Sequence, residues 1–313
     1  MKILCVGQLV ADIIATPVNY TRLGTDTEVL DSIGVQGGGD AMNVAVGLAR
    51  LGRKVVFCGR VGDDPFGAHL SGVLQKNGID AGGLIVDAGV STGSCIVLVD
   101  AGGQRIFLYC GGSNERVTPT DVSDAQIGAC AHLHVGGTYL LPGLDGEGSA
   151  SLFRRARERG KTTSMDVTWD VSGRWLSLIR PCLPQLTLFM PSENEAVHIT
   201  GETDPVKMAA FLRAEGVGIA IIKLGARGAY VDGGDERFFV PAFDMPVVDT
   251  TGAGDSFTAG FVARYAEGRP LRDCAKYASA VAAHCIGAVG ATAGVPDADT
   301  VAAFLQTRGH TEG

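Results

Sequence analysis

Short apolar runs recur at residues 3–6, 55–58, 133–135, 162–166 and 219–223, and the stretches between them carry apolar residues at helical spacing. Runs of this length bounded by turn residues predict buried strands. Their alternation with helices predicts an α/β fold whose mostly parallel sheet is covered on both faces. One helix can be bounded closely. Asp64 is an N-cap candidate, Pro65 suits a first turn, Phe66, Leu70, Val73 and Leu74 share one face, and Gly78 ends the pattern. Two stretches break the rhythm, about 12–35 and about 93–109, and both predict strands facing one another. In the second, residues 94–99, 100–103 and 104–109 read as strand, turn and strand. Such a small sheet could cover a ligand cleft or be an ordinary surface hairpin, and the pattern alone does not choose. No repeat, low-complexity tract or linker interrupts the 313 residues, so one domain is expected over 1–313.

Composition narrows the function. The formal charge is -8 and no Lys/Arg cluster is present, which argues against a nucleic-acid or anionic-membrane partner. The apolar start, 1–15, is interrupted by Gly7, Gln8 and Asp12 and lacks a small-residue cleavage site, so it predicts a first strand rather than a signal peptide. No apolar run reaches the length of about 20 that spans a bilayer. The eight cysteines are scattered, without CxxC or Cys/His metal spacing, and predict reduced, buried thiols in a cytoplasm. His132 and His134 alternate on an expected strand and read as structural. The 45 glycines exceed the ordinary share of about 7% and imply many tight turns.

The most informative chemistry lies in Val247-Val-Asp-Thr-Thr-Gly-Ala-Gly-Asp255-Ser-Phe. A short apolar strand enters a glycine-rich turn that opens a helix. Gly252 and Gly254 let backbone approach a phosphate, and the first N–H groups of the helix point at the anion. An exposed charge at a helix N-terminus gains only about 0.3–1 kcal/mol, whereas one donor aimed at transition-state charge is worth roughly 10²–10³ in rate. Asp255 beside such a turn would deprotonate an attacking hydroxyl, or it would cap the helix. No GxxxxGK[ST] occurs, and Phe257 stands where GxGxxG needs its third glycine, so P-loop and dinucleotide-binding readings are excluded.

Residues 249–257 resemble the C-terminal signature of ribokinase-like (PfkB) kinases. Gly37-Gly-Gly-Asp-Ala-Met-Asn43 through Gly52 resembles the family's N-terminal pattern, Val61-Gly-Asp-Asp-Pro-Phe-Gly67 its sequel, and 223–228 and 191–195 add matches along nearly the whole chain. The resemblance implies a three-layer α/β/α fold with a small β lid, to which 12–35 and 93–109 would contribute, and ATP with Mg2+ in a neighbouring groove. It implies that Asp255 is the catalytic base and that Gly252, Ala253 and Gly254 form the anion hole, with chemistry that is mainly alignment and charge stabilisation. Asp12, Gly38, Gly39 and Asn43, with Tyr109, match acceptor-binding positions. Ser192, Lys223, Gly225, Gly228 and Ser279 match the ATP side, although Ser192 replaces the usual Asn. Glu195 matches a residue acting on magnesium through water. Asp249, Thr251, Cys285, Ala288 and Gly290 match positions that hold a monovalent cation such as K+ in activated relatives. A homodimer through the lid strands is implied as well.

The acceptor is less defined. Val10 stands where ribokinase has an Asn, and Asp40 where ribokinase and phosphosugar kinases commonly have Lys; a carboxylate there would repel a phosphorylated acceptor, favouring an uncharged sugar. Cys110 stands where keto-deoxy sugar-acid kinases place an Arg. Arg105 lies close in sequence but reads as a surface charge of the lid. Nucleosides are the alternative acceptor, and a catalytically silent sugar sensor the alternative of another class.

Overall fold

The structure, a computed structural model, describes residues 1–22, 24 and 27–309. Residues 23, 25 and 26 of the expected 12–35 segment, and 310–313 of the expected domain, lie outside the described residues. The chain runs β1 (Lys2–Gly7), β2 (Val10–Thr16), β3 (Ser32–Gly38), α1 (Asp40–Arg50), β4 (Lys54–Gly62), α2 (Pro65–Lys76), β5 (Asp80–Asp87), β6 (Ser94–Val99) and β7 (Arg105–Cys110). It continues through α3 (Asp124–Ala129), β8 (His132–Thr138), α4 (Glu147–Glu158), β9 (Thr162–Val167), α5 (Leu176–Ile179), β10 (Leu188–Phe189), α6 (Glu193–Thr200), α7 (Pro205–Ala214) and β11 (Ile219–Lys223). β12 (Ala229–Asp232), β13 (Arg237–Val240), α8 (Ala253–Ala266), α9 (Leu271–Cys285) and α10 (Ala298–Gly309) complete it.

Nine strands form one sheet in the order β13-β12-β11-β10-β9-β8-β1-β4-β5. All pairs are parallel except β11 with β12 and β12 with β13. The five apolar runs that predict strands all fall in it. They are continuous because both faces are covered: Ile3 and Cys5 of β1 enter a core with α1, α2, α8 and α9, while Leu4 and Val6 enter another with α3, α4, α6 and α7. This is the expected three-layer α/β/α arrangement. Helix α1 lies so close to α8 that a Cβ on Gly47 would meet the Ala259 Cβ at 2.8 Å. Helix α2 starts as the sequence indicates, with the Asp64 carboxylate accepting the Gly67 N–H at 2.8 Å, and its Leu70 and Leu74 are buried.

The remaining four strands form a small sheet, β3-β2-β6-β7, containing the expected hairpin. Side chains alternate between faces along a strand, so register sorts them. Ile13, Val35, Ile96 and Leu108 align across the sheet on one face, beside Ala15, Ile33, Leu98 and Ile106. Asp12, Gln36, Cys95 and Tyr109 align on the other.

His132 and His134 are fully buried among the hydroxyls of Thr162 and Ser164. Burial pushes both imidazoles down to about 3, so they are neutral structural groups. All eight cysteines are free thiols, seven buried and Cys110 exposed.

Candidate active site

In an open parallel sheet, the loops at the carboxyl ends of the strands line the ligand crevice. Here Asp166 stands near the end of β9 and Lys223 ends β11, facing the N-termini of α1 and α8. The turn entering α8 requires glycine: Gly252 has φ +74°, and a Cβ there would overlap the Ala291 carbonyl. Gly252 is the N-cap and no side chain caps the helix. Asp255 therefore does not serve as the cap; its Oδ2 accepts from Asn43 Nδ2 at 2.8 Å. The Ala253 N–H turns back to the Thr250 carbonyl at 3.3 Å, and the N–H groups of Gly252 and Gly254 are left for another acceptor.

Asp40, Asp166, Glu195 and Asp255 line one cavity of about 340 Å³ together with Lys223. Burial, then the Asp166 charge, raises the Asp255 carboxyl to about 7 against the opposing pull of Asn43 and Lys223. Burial and Asp255 likewise push Asp40 well above the ordinary carboxylate range. Burial raises Glu195 too. Burial alone would lower the Lys223 ammonium, but Asp166, Glu195 and Asp255 outweigh it and keep the group cationic. Lys223 Nζ lies 3.1 Å from both oxygens of Asp166, and a Cβ on Gly254 would come within 3.3 Å of it. The ammonium thus sits against the anion turn. Ser192 and Glu195 form a capping box on α6, with the Ser192 N–H donating to Glu195 Oε2 at 2.6 Å.

A second cavity of about 500 Å³ adjoins the first, sharing Lys223, Gly225 and Gly254. It is mainly apolar, with Phe243, Val247, Phe257 and Ile286 in its wall, and also contains Ala253, Gly228 and Ser279. The Ser279 hydroxyl is buried without a partner in the wall of this cavity.

On the acceptor side, Gly38 is fixed by Asp12, because a Cβ there would overlap the Asp12 carboxylate. Gly39 has φ +91°, and its Cβ would fall 2.8 Å from the Gln8 carbonyl. Burial raises the Asp12 carboxyl to about 7. The Tyr109 hydroxyl accepts from Gln8 Nε2 at 3.0 Å. Asn43 Oδ1 is buried and unpartnered, leaving an acceptor beside the Asp255 carboxyl. Of these residues Asn43 contacts Asp255 directly, whereas Asp12 and Tyr109 share the inner face of the small sheet.

Asp249, Thr251, Cys285, Ala288 and Gly290 do cluster, and the Asp249 carboxylate at their centre is already engaged. Asp249 Oδ2 accepts from the Gly290 N–H at 2.8 Å, and Oδ1 accepts from the Thr251 N–H at 2.9 Å and its hydroxyl at 2.7 Å. The Cys285 thiol lies 3.6 Å from the Thr251 carbonyl, and the Ala288 N–H donates to the Cys285 carbonyl at 3.4 Å. Arg105 is not the surface charge its sequence context suggests. At the start of β7 on the inner face, it pairs with Asp249 Oδ1 at 2.7 Å, donates to Thr250 Oγ1 at 2.9 Å and contacts Thr251 Oγ1. Burial alone would raise Asp249, yet the Gly290 and Thr251 donors and Arg105 hold it down at about 2.

Asp166 is the site residue that the sequence passes over. It carries no local motif, and its only sequence signal is its place at the carboxyl end of a parallel strand.

Comparison with sequence families matches residues 1–298 to the pfkB family carbohydrate kinases. An ATP-dependent ribose-1-phosphate kinase of Halopiger xanaduensis is 34% identical over 273 residues, 87% of each chain. The ribokinase of Thermotoga maritima superposes with a TM-score of 0.85 at 25% identity, covering 97% of this chain and 99% of that one. Aminoimidazole riboside kinase of Salmonella enterica, solved with aminoimidazole riboside and an ATP analogue, gives 0.80 at 27% identity, covering 97% and 100%.

Proposed function

Because the chain belongs to the pfkB family of carbohydrate kinases, we propose that it transfers the γ-phosphoryl group of ATP to a hydroxyl of a small sugar, with Asp255 as general base. One observation carries this reading: Asp255 follows the anion turn directly, its carboxyl is raised to about 7, and its orientation is fixed by the acceptor-side Asn43. A base is most effective when its pKa lies near the working pH.

The acceptor hydroxyl gives its proton to Asp255 as its oxygen attacks phosphorus and ADP leaves. Developing charge on the phosphoryl oxygens meets the N–H groups of Gly252, Ala253 and Gly254 and the Lys223 ammonium. Asn43, Asp12, Gly38, Gly39 and Tyr109 hold the acceptor. The apolar cavity accepts the adenine, with Gly225, Gly228 and Ser279 alongside. Mg2+ fits the first cavity, where four carboxyl groups face one ammonium. Glu195 and Asp166 would hold the ion through its waters. When bound, Mg2+ neutralises phosphate charge.

The engagement of Arg105 by Asp249 speaks against a sugar-acid acceptor, since both terminal guanidinium nitrogens are committed to the loop at 249–251. A nucleoside acceptor is favoured by Phe107, which shares the inner face with Tyr109 and is 56% exposed, a surface on which a base could stack. The outer face carries exposed Ile33, Val35, Ile96, Ile106 and Leu108, and we assign it to a second copy of the chain. No helix among the described residues is long and apolar enough to cross a membrane, and the buried free thiols suit a reducing cytoplasm.

The test is ATP consumption over a panel of pentoses, hexoses, ribose 1-phosphate and nucleosides, for wild type and Asp255→Asn. Turnover of an uncharged sugar, with a loss of about 10²–10⁴ in the variant, is expected. Unchanged turnover in the variant would sink the assignment of Asp255, and preference for ribose 1-phosphate would overturn the inference drawn from Asp40.

A further inference from the structure

In the loops at 249–251 and 285–290 the side-chain oxygens of Asp249 and Thr251 are already engaged. Both Asp249 oxygens accept hydrogen bonds, and the Cys285 thiol lies against the Thr251 carbonyl. On the far side of the loop, Arg50 NH1 takes the carbonyls of Thr292 and Val295. A K+ ion at Asp249 would have to displace the Arg105 guanidinium from its carboxylate. The positive charge already there is Arg105, whose side chain and that of Asp249 are only 24% and 17% exposed. Resting on the phosphoryl-transfer reading of the turn at 252–254, we infer that the Arg105 guanidinium is the resident cation of these loops, so that turnover requires no added monovalent ion.

The geometry gives Arg105 a further consequence. It reaches Asp249, Thr250 and Thr251 from β7, one edge of the small sheet. From β3, the opposite edge, Gln36 lies against Gly290 so closely that a Cβ on Gly290 would overlap its amide. Both edges of the sheet therefore bear on the strip of chain that leads into Gly252. Arg105 is a positioning residue: it touches no reacting atom but fixes the turn whose N–H groups do. A planar guanidinium with several donors can bridge a carboxylate and two hydroxyls, which a spherical ion beside the same carboxylate would not reproduce.

The inference is tested with wild type, Arg105→Lys, Arg105→Gln and Arg105→Ala, assayed in tetramethylammonium salts with and without KCl or guanidinium chloride at constant ionic strength. Wild-type kcat should be unchanged by K+. Arg105→Ala should lose about 10²-fold in kcat through misplacement of the turn, with acceptor KM little affected, and should recover part of it with guanidinium. Arg105→Gln keeps polar contacts without charge and should share the defect, whereas Arg105→Lys should be intermediate. A wild-type kcat that rises several-fold with K+, or an Arg105→Gln variant as active as wild type, overturns the inference.

Crystals of the MgADP complex soaked in thallium(I) read the ion without turnover. No thallium is expected between 249–251 and 285–290 in wild type, and thallium is expected there in Arg105→Ala. Thallium beside Arg105 in wild type overturns the proposal. If wild type phosphorylates no acceptor at all, the phosphoryl-transfer reading falls, and the thallium result still decides which cation resides in the loops.

Discussion

Asn43 Nδ2 donates to Asp255 Oδ2 at 2.8 Å across 212 positions of sequence, so a helix on the acceptor side holds the carboxylate at the mouth of the anion turn. The bond favours the charged form of Asp255 and opposes the burial and the Asp166 charge that raise it. A hydrogen bond to a charged group is worth about 1.5–3 kcal/mol, or roughly one to two pK units. Asn43→Leu should therefore move the acid limb of the kcat/KM profile upward from about 7 and lower activity at neutral pH, with recovery in alkali. A limb that stays in place would show that Asn43 does not set the base.

Lys223 and Asp166 form a buried pair, with side chains 13% and 3% exposed. Lys223→Met leaves Asp166 with the Thr258 hydroxyl as its remaining side-chain partner, and removing one member of such a pair typically costs about 3–5 kcal/mol. The variant should unfold at lower urea and bind MgADP weakly. Adding Asp166→Asn should restore much of the stability without restoring nucleotide affinity. A double variant that binds MgADP like wild type would show that Lys223 serves the fold alone.

Gly38 faces Asp12 without room for a methyl group. Gly38→Ala should displace that carboxylate and raise the acceptor KM, while the ATP KM stays unchanged because the nucleotide cavity is lined by other segments. Steady-state kinetics with each substrate varied in turn decides the matter, and equal effects on both KM values would argue for general distortion.

His132 and His134 carry imidazoles lowered from 6.5 to about 3. As pH falls below 6.5 the unfolded chain takes up these protons while the fold resists, so their stabilisation is full above that pH and is lost progressively toward 3. Each contributes a loss of roughly 2 kcal/mol between pH 7 and pH 5. Asp12 and Asp255, raised to about 7, act in the opposite direction over the same range. Comparing His134→Gln with wild type isolates the histidine: the variant should lose about 2 kcal/mol less than wild type over that interval, read from urea midpoints.

The parts of this molecule legible in sequence are those whose signal is local. Asp64 and Gly78 bound α2 through chemistry contained within one helix, and the turn at 100–103 joins two strands that are neighbours in sequence. The 249–255 segment is legible for the same reason, since phosphate approach, helix start and base lie within seven positions. Asp166 was not, because its meaning depends on Lys223, 57 residues away. Arg105 reads as a surface charge because its partner lies 144 residues on, where the edge of the small sheet meets the loop before α8. Ser192 and Glu195 stand at capping-box spacing, which sequence could have given. The structure shows that the proposed magnesium residue also fixes a helix start.

The contact between Gly47 and Ala259 has a consequence during synthesis. Helix α1 is made early, yet much of its apolar surface is covered by α8, which emerges about two hundred residues later. At roughly 5–20 residues per second, the ribosome leaves that surface without its partner for on the order of 10 s or longer. The nascent chain must therefore carry an incomplete core and half of a catalytic site for most of its translation. Chains halted before α8 should be clients for chaperones and proteases rather than partly active enzymes.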